Sequence, residues 1–119
     1  MTETMRKVTV IGGGITGLST AFYLQKEARE RGISLELTLI EAAHRLGGKI
    51  QTIKRDGFII ERGPDAFLAR KDSMRTLVKE LGLESELIRS SAGQTFVLAG
   101  EELHPVPGGS AYRGISLRF

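Results

Sequence analysis

Three glycines, Gly12, Gly14 and Gly17, stand in the order G-x-G-x-x-G inside "VIGGGITGLST". Glycine at that spacing serves three needs in turn: a sharp turn, a close approach of backbone to ligand, and tight packing of a helix on a strand. The ligand that such a turn takes is a pyrophosphate, because the unpaired N–H groups and dipole of a helix N-terminus favour negative charge. Gly13, Ile15 and Thr16 complete the stretch and are candidate binding residues with the three glycines. An acid follows at a suitable distance, since Glu41 lies 24 positions beyond Gly17. That is close to the spacing of a carboxylate that accepts ribose hydroxyls. The same charge repels a 2′-phosphate, so the pattern points to a dinucleotide of the NAD or FAD kind and against NADP.

A second glycine segment separates those two. "EAAHRLGGKIQT" sets Ala42, Arg45, Gly47, Gly48 and Lys49 directly after Glu41. This R-x-G-G stretch resembles the flavin-binding signature of the superfamily that holds the amine oxidases, phytoene desaturases and protoporphyrinogen oxidases. The resemblance implies that this second run without side chains passes close to the flavin end of an extended FAD, with Arg45 and Lys49 near its phosphates or its ring. A third stretch, "ERGPDAFLARK", is similar to the segment beside the isoalloxazine ring in bacterial protoporphyrinogen and coproporphyrinogen oxidases. By that resemblance Gly63, Pro64 and Asp65 join the cofactor residues, Gly63 for close approach and Pro64 for a stiff turn. "GFIIERGPD", "LGLE" and "LHPVP" occur in the order shown by the Gram-positive type of these oxidases.

The elements that must hold these residues can be read from periodicity. "KVTVI", residues 7–11, is a β-branched strand whose two faces both look buried, as in the centre of a parallel sheet. From Ile15 to Arg31, Leu18, Ala21, Phe22 and Ala28 recur at helical steps, and Gly32 is placed to end the helix. "SLELTLIEA", residues 34–42, alternates Leu35, Leu37 and Leu39 and ends as a second strand at Glu41. Strand, glycine turn, helix and strand make one βαβ unit with an expected right-handed crossover. "KIQTIKR" and "FIIE" form a hairpin turning at Asp56-Gly57. Asp72 or Ser73 is the expected cap of a helix carrying Met74, Leu77, Val78 and Leu81 and stopped by Gly82. A further helical turn is expected to include Leu87 and Ile88, and "TFVLAGEELHPVP" is a hairpin around Ala99-Gly100.

Composition narrows the function. The 119 residues carry a net charge of only +3 with both signs interleaved. No basic block with interspersed aromatics is present, which argues against nucleic acid. There are no cysteines, so disulfide scaffolds, thiolate zinc sites and cysteine nucleophiles are excluded. The apolar run after "MTETMRK" is too short for a signal peptide or a membrane span, and the cytoplasm is the expected compartment. His44 and His104 lack a visible partner cluster, and Tyr23 and Tyr112 lack a chemical setting. No catalytic acid, base or metal ligand is assigned. A turn aspartate is the plainer reading of Asp65.

The fold class is therefore α/β, a Rossmann-type FAD-binding βαβ domain with a parallel sheet that is incomplete. The domain is expected over 1–109, with a divergent tail over 110–119 ("AYRGISLRF" and the residue before it) that shows no strand period. The resemblance implies FAD as cofactor, a porphyrinogen (coproporphyrinogen III or protoporphyrinogen IX) as substrate, O2 as acceptor and a porphyrin of heme synthesis as product. It also implies a longer chain, so the 119 residues are expected to be part of an oxidase whose substrate-binding and any membrane-contacting region lies elsewhere. The oligomeric state is not legible. Two other readings stay open: a related amine oxidase or carotenoid desaturase, and a non-catalytic FAD-binding fragment.

Overall fold

The computed structural model describes residues 4–89, 96–106 and 114–117. The chain divides into two compact units, Met1–Pro64 and Asp65–Phe119.

The first unit begins with the βαβ element. Strand β1 (Arg6–Ile11), helix α1 (Ile15–Glu30) and strand β2 (Leu35–Ile40) follow one another. The two strands pair in parallel, with Val8 opposite Leu37 and Ile11 opposite Ile40. Helix α1 packs on both strands. It ends as its sequence requires: Gly32 takes φ +64°, Gly32 N–H bonds Arg29 O at 3.3 Å and Ile33 N–H bonds Ala28 O at 2.8 Å. This pair of bonds is the Schellman stop, which needs a left-handed residue just past the helix.

The strands correct one expectation. Val8 and Val10 on β1, and Leu35, Leu37 and Leu39 on β2, are half-buried, whereas the residues between them are exposed. Ile11 is 84% exposed. Both faces of β1 were expected to be buried. A single helix covers only one face, and the other carries Lys7 and Glu36, paired across the strands at 3.1 Å.

The hairpin follows, with β3 (Thr52–Arg55) antiparallel to β4 (Phe58–Glu61). Asp56 and Gly57 have φ of 51° and 80°, the two left-handed residues that a type I′ turn demands. The first strand of this hairpin begins at Thr52 rather than Lys49, because Lys49 to Gln51 belong to the loop that precedes it.

In the second unit come β5 (Phe67–Leu68), α2 (Asp72–Glu80), a 3₁₀ turn (Glu84–Glu86), β6 (Leu87–Arg89), β7 (Phe96–Ala99), β8 (Glu102–Pro105) and β9 (Gly114–Leu117). Strand β9 lies between β5 and β6 and is antiparallel to both, while β7 and β8 form a hairpin. Leu77 and Val78 of α2 are buried. The end of α2 repeats the stop of α1, with Gly82 at φ +70° and Leu83 N–H on Val78 O at 3.0 Å.

Three local expectations change here. Lys71 occupies the cap of α2 with no side-chain capping bond. Asp72 lies inside the first turn, where its charge suits the helix dipole. Leu87 and Ile88 lie in a strand, because the helical turn is completed before them and β9 offers a partner edge. The tail, read as lacking a strand period, supplies β9. The boundary at 109/110 and Tyr112 lie outside the described residues. Among the described residues no helix is long and apolar enough to cross a membrane.

Candidate functional site: two glycine segments around one cleft

The first glycine segment is fixed by regular structure on both sides. Gly12 leaves β1 with φ +102°, and its N–H continues the sheet to Ile40 O at 2.7 Å. Gly17 faces back toward that turn, and a Cβ there would overlap the Gly12 carbonyl oxygen. The close helix–strand approach expected of the third glycine is thus present. Gly14 is the cap residue of α1, with no side-chain cap and no acid in the first turn. The first helical bond runs from Leu18 N–H to Gly14 O at 3.0 Å, so the N–H groups of Ile15, Thr16 and Gly17 precede the ladder and lack helical acceptors.

The second segment lies directly against the first. Gly47 N–H donates to Gly13 O at 2.8 Å, and Gly14 and Gly47 form a parallel bridge. Gly47 and Gly48 take φ of 104° and 58°. A Cβ on Gly48 would come within 3.1 Å of Gly14 Cα, closer than ordinary contact. Gly63 then stacks on this loop, and a Cβ there would overlap the Lys49 carbonyl oxygen. The bareness of Gly63 is accounted for by that backbone contact.

Together these segments line a cleft of about 590 Å³. Its walls include Gly12, Gly14, Ile15, Thr16 and Gly17 from the first segment, Gly47, Gly48 and Lys49 from the second, and Pro64. Val10, Ile11, Thr20 and Ile50 also line it, and sequence reasoning missed them. Thr20 was within reach of that reasoning: it lies one helical turn beyond Thr16 and donates its hydroxyl to Thr16 O at 2.8 Å. Lys49 is the only titratable residue among those lining the cleft.

The remaining candidates stand outside this lining. Gly13 is buried behind it. Glu41, immediately after β2, turns its carboxylate onto the glycine turn. Oε2 accepts Gly13 N–H at 2.6 Å and Oε1 accepts Ala43 N–H at 2.7 Å. The Ala43 and Gly13 N–H groups hold this carboxyl below the usual glutamate range. Burial opposes them, and the Ala42 N–H and the Arg45 charge add smaller downward effects. An ionised carboxylate has about four lone-pair positions, so both oxygens keep acceptor capacity for a ribose diol. Arg45 donates to carbonyls of its own loop. Asp65 is exposed and opens the second unit. His44 and His104 are exposed.

A bare helix N-terminus, two abutting glycine segments and an ionised carboxylate behind them are the features that a dinucleotide-binding class of site requires. Residues 15–115 match the family described as flavin containing amine oxidoreductase, and the chain belongs to that family. FAD is accordingly its cofactor type. Coproporphyrinogen III oxidase of Bacillus subtilis (strain 168) is 56% identical over 110 residues, which are 92% of this chain and 23% of that protein. A crystal structure of a protein assigned as a protoporphyrinogen oxidase, from Exiguobacterium sp. 255-15, superposes with TM-score 0.73 at 42% identity, covering 90% of this chain and 23% of that one. Putrescine oxidase bound to putrescine gives TM-score 0.59 at 28% identity, over 90% of this chain and 22% of that one. The chain thus spans under a quarter of the length of these proteins.

Proposed function

We propose that this chain is the FAD-binding portion of a porphyrinogen oxidase of heme synthesis, acting on coproporphyrinogen III or protoporphyrinogen IX in the cytoplasm. The observation that carries the reading is the seam between the two glycine segments, the Gly47 N–H on Gly13 O at 2.8 Å, which makes one cleft of two motifs. The N–H groups at the start of α1 would hold the pyrophosphate, with Gly14 and Gly48 keeping the wall free of side chains. Glu41 would accept the ribose hydroxyls, and Lys49 would place a positive charge along the ligand. FAD held there would supply the redox chemistry for two-electron oxidation of the porphyrinogen, with O2 as final acceptor and hydrogen peroxide as its product, while the residues named here would bind and orient the cofactor.

The domain is taken to run over 1–109, with Gly63, Pro64 and Asp65 as its third cofactor segment. The greater likeness to the porphyrinogen oxidases than to putrescine oxidase supports a porphyrinogen over an amine. A purely FAD-binding role for these 119 residues is the second reading, since they span under a quarter of the length of the oxidases they match.

Titration of the chain with FAD, followed by flavin fluorescence, tests the cofactor. Saturable binding is expected, weakened at least roughly tenfold by Gly14→Val, which corresponds to about 1.4 kcal/mol. Gly14 has extended backbone, and a Cβ there would make only an ordinary contact, 3.9 Å from Gly48 Cα, so the urea midpoint of the variant is measured beside its affinity to separate lost binding from lost fold. Equal binding by both proteins would place the cofactor elsewhere. Porphyrin fluorescence from each porphyrinogen separates oxidase from binding module, and its absence with FAD bound would favour the module.

A further inference from the structure

We propose that Arg45 is a positioning residue, which builds the second glycine loop by gripping its carbonyls and does not itself touch the cofactor. The inference rests on the FAD reading of the cleft. The guanidinium spans three carbonyl oxygens of one short segment: Nη2 donates to Gly48 O at 2.6 Å, and Nη1 donates to Ile50 O at 3.2 Å and to Leu46 O at 3.3 Å. A planar fork of five donors can do this, whereas an ammonium is a point charge on a flexible stem.

The loop needs such a grip. Two consecutive left-handed glycines, at φ 104° and 58°, have little conformational preference of their own and lose much freedom on ordering. The loop belongs to no helix or strand. Its backbone bonds run from Gly47 N–H to Gly13 O at 2.8 Å and from Ile50 N–H to Gly47 O at 3.0 Å. Arg45 is exposed and does not line the cleft, yet Gly47, Gly48, Lys49 and Ile50 do. A bare Gly47 serves the same grip, because a Cβ there would press to 3.0 Å from Ile50 O, a carbonyl that Nη1 binds. The arginine therefore acts on the cofactor through the wall that it holds.

The test compares Arg45→Lys and Arg45→Ala in the full 119-residue chain by two readouts. Without FAD, hydrogen exchange at the Gly47 and Ile50 amides reports the loop directly, with the urea midpoint as a check on global stability. With FAD, the dissociation constant is measured at low and high salt. Both variants are expected to lose amide protection at an unchanged urea midpoint. Both should bind FAD roughly tenfold more weakly, as loss of charge-assisted hydrogen bonds allows, with lysine no better than alanine and an unaltered salt dependence. Rescue by lysine, with normal exchange and a salt dependence lost only in alanine, would make Arg45 a charge contact to phosphate and overturn the proposal. If the unmodified chain binds no FAD, the cofactor reading fails, and the exchange data alone still decide whether Arg45 holds the loop.

Discussion

The two glycine segments carry the same residue type for different physical reasons. Residues 12–17 are clamped between a strand and a helix: Gly12 N–H extends the sheet to Ile40 O at 2.7 Å, and Gly17 lies against Gly12 O. Residues 45–50 have no regular element on which to stand. They take their place from hydrogen bonds, one to Gly13 O at 2.8 Å and three from the Arg45 guanidinium. A segment set by packing fails when atoms are added. A segment set by polar contacts fails when donors are removed.

The contrast is tested most sharply at Gly17. Its Cβ would meet a backbone oxygen, which cannot swing aside like a side chain, so Gly17→Ala should lower stability by about 3 kcal/mol. Chemical denaturation measures this, and a loss under about 1 kcal/mol would show that the helix can slide on the strand.

Glu41 ties the start of its own loop, at Ala43, to Gly13 of the first segment, and its effect should be intermediate. Glu41→Gln keeps one oxygen acceptor but loses the charge, leaving Gly13 and Ala43 to compete for it. FAD affinity should fall roughly tenfold. The carboxyl is held below its ordinary value in the folded chain. Its stabilising contribution is therefore complete above the ordinary glutamate range and disappears as pH falls through that range to the lower folded-state value. Stability followed across the acid range should show this limb, and the Glu41→Gln variant should lack it. An identical acid limb in both proteins would mean that other carboxylates set it.

The smallest effect is expected at Gly32, a glycine required by conformation alone. It has φ +64° and nothing within 4 Å of a Cβ, so Gly32→Ala should cost about 1 kcal/mol and leave FAD affinity unchanged. A change in affinity would show that the end of α1 communicates with its beginning.

Much of the βαβ unit, and the end of α2, was legible because the signals are local. The glycine spacing, the helical apolar steps from Leu18 to Ala28, the alternation of Leu35, Leu37 and Leu39, and the Gly32 and Gly82 stops each depend on residues within a turn or two. The Asp56-Gly57 hairpin was equally local. Strand β9 and the strand character of Leu87 and Ile88 were not, since pairing of Gly114–Leu117 with β6 and β5 depends on partners far along the chain. Exposure of Ile11 escaped for a related reason: an apolar residue in a strand says nothing about how many layers cover it.

At the site itself, residue types fixed the chemistry on offer: bare backbone for phosphate, a carboxylate against a 2′-phosphate, and a second glycine pair that suggested flavin. The sequence by itself determined those groups and their order, because turn chemistry and periodicity are properties of short segments. Only the tertiary structure decided that Gly13 and Gly47 share a hydrogen bond, that Glu41 reaches back to Gly13 and that Gly63 stacks on Lys49. Each of these joins residues distant in the chain, and such contacts form only after the strands and helix have packed and set the distances between them.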